Sequence, residues 1–127
     1  MAIKGSDAAA IVRVPWNDQV LIKPVLDLGA DGVIVTMVQN AEDVSRAVAA
    51  CRYPPEGVRG FGPLRPLNYG RLDAAEYCSE ANDSLIVIVQ IEQQSAVETH
   101  GSAPINFRKS LIRWHIQLLK RPDSRSR

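Results

Sequence analysis

The sequence predicts an α/β fold built on a parallel sheet. Two stretches, residues 32–38 (GVIVTMV) and 85–92 (LIVIVQIE), are almost continuously apolar, the pattern of strands covered on both faces. Segments with helical spacing and capping residues lie between and after them, so strands and helices alternate. Such alternation, with no wet strand face, defines a parallel sheet with right-handed crossovers.

Each element has its own signal. Residues 11–16 (IVRVPW) are expected to form a short strand with Pro15 near its end. Asn17 or Asp18 can cap a helix running to Leu28, and Gly29 closes it. Val20, Leu21, Val25 and Leu28 are its expected buried stripe. Pro24 removes a backbone donor, so a kink, or a helix starting near it, is expected. After the strand at 32–38, Asn40 caps a helix over 41–51, with Asp43 in its first turn. Val44, Ala47, Val48 and Cys51 line one side of it.

Residues 53–70 (YPPEGVRGFGPLRPLNYG) hold four prolines and four glycines. A loop of that length is often a lid or binding element, and it is expected at the mouth of a pocket. A short helix over 72–82, the strand 85–92 and a helix beginning at 93–99 complete the order. Three strands are visible, and nothing repeats beyond the βα unit.

Composition bounds the class. The 127 residues allow one modest domain, and a hydrophobic fraction of 46% supplies a core. No apolar run approaches the ~18 residues of a membrane-spanning helix. The first residues, MAIKGSDAAAIVRV, lack the apolar centre of a secretory signal. Cys51 and Cys78 show neither CxxC nor zinc spacing, so two reduced thiols in a cytoplasmic protein are expected. Residues 1–107 carry 8 Lys/Arg against 13 Asp/Glu, whereas residues 108–127 carry 7 against Asp123 alone. The body is acidic and the tail basic.

Ligands of parallel α/β folds bind at the carboxyl ends of the strands. Here the first strand ends near Arg13, the second near Thr36 and Gln39, the third at Gln90 and Glu92. Arg13, Gln90 and Glu92 do not suit a buried core. A carboxylate there suits a hard divalent cation, and an arginine suits a substrate carboxylate or enolate oxygen. Taken alone, Glu92 also fits the first solvent-exposed residue after a strand, and Arg13 a structural ion-pair partner.

The blocks RVPWND, MVQNAEDV, RYPPEGVRG and VQIE together resemble the HpcH/HpaI aldolase family over about residues 10–98. These are class II, metal-dependent pyruvate aldolases. The resemblance implies a TIM barrel, present here as an incomplete barrel of about three parallel βα units. It implies that Arg13 is catalytic and contacts the pyruvate carboxylate and enolate, that Gln90 lines the same site, and that Glu92 ligates Mg²⁺ or Mn²⁺. The implied reaction is reversible aldol cleavage of a hydroxy keto acid to pyruvate and an aldehyde, in a homo-oligomer.

The sequence also departs from that pattern. A full barrel needs ~250 residues. The family's general-base histidine lies in a segment preceding anything present here, and no GPxDLS-type block supplies a second metal-ligating aspartate. Thr36 stands where proline is expected. His100 and His115 match no family motif and read as surface or tail residues. The chain therefore divides into a partial aldolase segment, residues 1–98, and a divergent basic tail, residues 99–127. In the tail, Phe107, Leu111, Trp114 and Leu118 share one face of an expected amphipathic helix, with Ile112, Ile116 and Leu119 beside them. The tail reads as sequence from outside the family, such as a frameshift or truncated gene model, rather than as a nucleic-acid or membrane element. The expectation is an aldolase segment impaired as it stands; the alternatives are a non-catalytic binding or assembly fragment and a pseudogene product.

Overall fold

The computed structural model describes residues 7–68 and 70–92, and the backbone of 112–116. The elements run β1 (Ile11–Val14), α1 (Gln19–Asp27), β2 (Gly32–Val35), α2 (Ala41–Cys51), α3 (Ala74–Ser84), β3 (Ile86–Ile91) and β4 (Ile112–Ile116). The sheet order is β1-β2-β3-β4, and every pair is parallel.

The expected parallel α/β architecture is present, with four strands in place of three. The extra one lies in the tail, where the amphipathic helix was expected. In IRWHI the alternation of Ile112, Trp114 and Ile116 with Arg113 and His115 has a period of two, and it prevails over the helical spacing of the wider window. The free edge of β3 receives this strand, which sets the backbone of His115 opposite Gln90. The helix expected at 93–99, with His100 beyond it, lies outside the described residues.

The helix ends follow their capping chemistry. The Asp18 carboxylate accepts from the Val20 amide at 2.8 Å, and α1 closes with Gly29 at φ +87°. Gly29 N–H donates to the Leu26 carbonyl and Ala30 N–H to that of Val25, the paired bonds of a Schellman motif. Asn40 caps α2 by accepting from the Asp43 amide at 2.8 Å, while the Asp43 carboxylate accepts from the Gln39 amide at 3.0 Å. Asp73 caps α3 by accepting from Ala75 and Glu76.

Pro24 sits inside α1 and neither breaks nor begins it. The carbonyl it leaves without an N–H partner is that of Val20, a residue 70% exposed, so water can serve it. The stripe that α1 buries differs from the expected one. Ile22 and Leu26 enter the core, Val25 is partly buried, and Val20, Leu21 and Leu28 are exposed.

The core lies between one sheet face and two helices. Val14, Val33, Val35, Val87 and Val89 meet Ile22 and Leu26 of α1 and Val44, Ala47, Ala50 and Cys51 of α2. Strand alternation sends Arg13, Ile34 and Ile88, which share one rung of the sheet, to the opposite face.

Candidate functional site

The carboxyl end of the sheet is built from three sequence blocks. β1 delivers Arg13 and stops at Val14, because Pro15 can donate no ladder bond. Arg13 is exposed on the face away from the helices. β3 delivers Gln90 to the same face two residues beyond Ile88, and Glu92 follows immediately after the strand. Gln90 is 7% exposed, and its buried Oε1 has no hydrogen-bond partner among the described residues. Glu92 is partly buried. Arg13 and Gln90 thus share one face of the sheet, and Glu92 follows directly after β3.

The middle strand holds these ends together. β2 leaves the ladder after Val35, short of the expected residue 38, because Met37 adopts φ 58°. The buried Thr36 hydroxyl donates to the Val14 carbonyl at 3.2 Å, and the Val38 amide donates to the Gln90 carbonyl at 3.2 Å. Asn17, in the turn after β1, donates through its side-chain amide to the Asp43 carbonyl at 2.8 Å. The RVPWND and MVQNAED blocks are therefore joined directly. The sequence marked Thr36 as a strand-end residue and Asn17 as a possible cap, but not the hydrogen bonds by which they join these ends; a hydroxyl within an apolar strand was the available signal for the first.

The long loop lies at the other end of the sheet. Helices α1 and α2 run back from the strand carboxyl ends, so their own carboxyl ends mark the opposite edge. Val58 N–H donates to the Ala49 carbonyl at 2.8 Å, Arg59 N–H to that of Arg52 at 2.8 Å, and Arg59 Nη2 to the Asp27 carboxylate at 3.0 Å. Pro66 approaches Gly29. These contacts tie the loop to the ends of α1 and α2, away from Arg13 and Gln90, in contrast to the expected place at the pocket mouth. A groove of about 330 Å³ between α1, Ala50 and Val58–Gly60 has no strand residue in its lining.

Among the described residues, no group of three or more His, Cys, Asp or Glu is placed to hold a metal ion. Cys51 and Cys78 are both free; burial pushes the Cys51 thiol up to about 12, with Arg59 and Arg52 pulling the other way. No helix among the described residues is long and apolar enough to cross a membrane.

A parallel sheet with helices packed on one face and polar groups at its carboxyl ends fits a segment of a TIM-type α/β barrel, the fold type of the solved relatives below. The chain belongs to the HpcH/HpaI aldolase/citrate lyase family, whose profile matches residues 1–101. It is 45% identical over 103 residues to the 4-hydroxy-2-oxo-heptane-1,7-dioate aldolase of Salmonella arizonae, a match covering 80% of this chain and 38% of that one. It is 42% identical over 99 residues to the 5-keto-4-deoxy-D-glucarate aldolase of an Enterobacter species, covering 77% of this chain and 38% of the relative. The HpcH/HpaI aldolase structure from Desulfitobacterium hafniense superposes with a TM-score of 0.69 at 34% identity, covering 76% of this chain and 38% of that chain. The chain thus spans well under half the length of the relatives it matches.

Proposed function

We propose that this chain carries part of the site of a divalent-metal-dependent pyruvate aldolase, and that by itself it is catalytically impaired. The reaction class is reversible cleavage of a hydroxy keto acid into pyruvate and an aldehyde. The observation that carries the reading is the buried Gln90 Oε1, unpartnered among the described residues, two positions before Glu92 and on the face that also bears Arg13. A buried acceptor without a partner is costly, about 1–3 kcal/mol, and a bound ligand would relieve it.

Arg13 is the carboxylate anchor: its guanidinium presents paired donors to a planar anion and stays charged throughout. As the carbon–carbon bond breaks, the electron pair moves onto the keto-acid fragment, and the same guanidinium stabilises the developing enolate. Gln90 fixes the orientation of that fragment. Glu92, with the Gln90 amide oxygen nearby, offers hard oxygen donors that fit Mg²⁺ or Mn²⁺, although they are a partial ligand set. When bound, such an ion supplies Lewis-acid polarisation of the ketone and carboxylate oxygens. The proton on the cleaved hydroxyl must pass to a base, and residues 7–92 contain no histidine to take it. The free thiols Cys51 and Cys78 favour a cytoplasmic setting.

The test is calorimetric titration of the purified chain with Mn²⁺, with and without pyruvate, beside Glu92→Ala. Pyruvate-enhanced binding that the variant loses is expected, with pyruvate release from hydroxy keto acids no faster than in the variant. Binding that Glu92→Ala leaves unchanged would discard the metal role.

One observation favours a second reading, a non-catalytic assembly fragment. Among the described residues β1 is an open sheet edge, and Val12, Trp16, Leu21 and Leu28 of β1, the following turn and α1 are exposed. A defined oligomer that forms without metal or keto acid, from a chain that binds neither, would select it.

A further inference from the structure

We propose that Thr36 is a positioning residue for the keto-acid site: its hydroxyl fixes the strand end carrying Arg13 relative to the one carrying Gln90. The identity of the positioned ligand rests on the functional reading above; the linkage itself rests on geometry.

The ladder joins β1 to β2 as far as Val14 and Val35, and β2 to β3 as far as Val35 and Val89, and there it stops. β1 cannot continue past Pro15, and β2 turns out of the ladder at Met37. A positive φ at a non-glycine residue is unfavourable and persists where surrounding contacts over-determine it. Two bonds flank Met37. On one side Thr36 Oγ1 donates to the Val14 carbonyl, the residue next to Arg13; on the other Val38 N–H donates to the carbonyl of Gln90 itself. Thr36 is 3% exposed and Val38 fully buried, so water does not compete for either bond. Residues 36–38 thereby span from the Arg13 strand to the Gln90 strand. Valine would fill the same volume and suit a strand equally well, but it would leave the Val14 carbonyl without this donor. The hydroxyl thus acts through Arg13 and Gln90 without needing to touch the ligand.

The experiment compares the full chain with Thr36→Val and Thr36→Ser by two readouts: pyruvate affinity in saturating Mn²⁺, and hydrogen exchange at the Val38 amide. Thr36→Val is expected to weaken pyruvate binding about tenfold, equivalent to about 1.4 kcal/mol, and to speed exchange at Val38. Thr36→Ser, which keeps the donor, should stay within about twofold of the parent in both. Unchanged pyruvate affinity in Thr36→Val would overturn the positioning role. Equal losses in both variants would trace to general loosening and also overturn it. A parent chain that binds no pyruvate would remove the functional reading and the positioning role together, an outcome distinct from the other two.

Discussion

Arg59 and Asp27 lie 32 positions apart in sequence and form an ion pair at 3.0 Å, with the Arg59 side chain 3% exposed and its guanidinium 4.5 Å above the Tyr53 ring. Lys23 pairs with the same carboxylate. Tyr53 is fixed in turn: its amide donates to Asn82 Oδ1 at 2.8 Å, and its carbonyl accepts from Asn82 Nδ2 at 3.1 Å. One arginine therefore joins the long loop to α1, and through Tyr53 to α3.

Removing Arg59 deletes its charged hydrogen bond to Asp27 and its stacking on Tyr53, while Lys23 still compensates the carboxylate, so the loss is that of a charged hydrogen bond, about 1.5–3 kcal/mol. Arg59→Ala should lower unfolding free energy by about 2 kcal/mol in urea titrations. Because the pair lies at the end of the sheet remote from Arg13 and Gln90, Mn²⁺ and pyruvate affinity of the folded fraction should be retained. A loss under about 1 kcal/mol would show that the loop is held by its backbone bonds alone.

Two glycines of this loop should respond differently to alanine. A Cβ at Gly57 would stand 2.4 Å from the carbonyl oxygens of both Ala49 and Arg52. One at Gly62 would meet the Lys23 ammonium at 2.9 Å and the Asp27 carboxylate at 3.2 Å. Backbone oxygens cannot yield without moving the end of α2, whereas a lysine tip can swing aside. Gly57→Ala should cost about 2–3 kcal/mol and Gly62→Ala under about 1 kcal/mol, in the range for overpacking. Thermal midpoints in the reverse order would contradict the close approach of the loop to α2.

Cys51 gives a pH signature. Its thiol rises from 9.0 to about 12 because burial disfavours the thiolate. Below pH 9 both folded and unfolded chains keep the proton, and the stabilising contribution is complete. As pH rises from 9 toward 12 the unfolded chain loses the proton first, so stability falls, by at most about 1.4 kcal/mol per pH unit. Denaturation at pH 8.5, 9.5 and 10.5 should show a steeper decline for the parent than for Cys51→Ala. The difference isolates Cys51 from Tyr53, whose hydroxyl burial also pushes upward. Parallel slopes would mean that the thiol is accessible in the native state.

Much of this architecture was legible because local signals and tertiary packing agree. The helix over 41–51 appears at its expected limits, since Asn40 and Asp43 fix its start and Val44, Ala47 and Cys51 face the sheet. The polar end of LIVIVQIE likewise marks the carboxyl end of β3. Other features depended on long-range placement. Nothing local to residues 53–70 shows that Arg59 will find Asp27, so the loop was expected at the wrong end of the sheet. The strand at 112–116 required the free edge of β3, which no window of tail sequence reveals. The turn at Met37 and the Thr36–Val14 bond likewise arise between strands, although they decide where Arg13 and Gln90 stand.

The misassigned stripe of α1 leads to the last prediction. Leu21, Val25 and Leu28 follow the i, i+4, i+7 spacing of one helical face, and Ile22 with Leu26 define a second face about 100° round the axis. The second faces the sheet. The first leaves Leu21 38% and Leu28 60% exposed. β1, the outermost strand, leaves Val12 39% exposed as well, although Val12 shares the helix-covered sheet face with the buried Val14. An apolar helix flank and an open parallel edge together form a surface suited to another strand–helix pair. Leu21→Lys and Leu28→Lys should therefore change unfolding free energy by no more than about 0.5 kcal/mol, as for surface positions. They should also lower the sedimentation-average mass of the concentrated chain, where apolar flanks drive association. A large loss of stability would mean that these leucines pack within the chain. An unchanged mass distribution would mean that association, where it occurs, uses another surface.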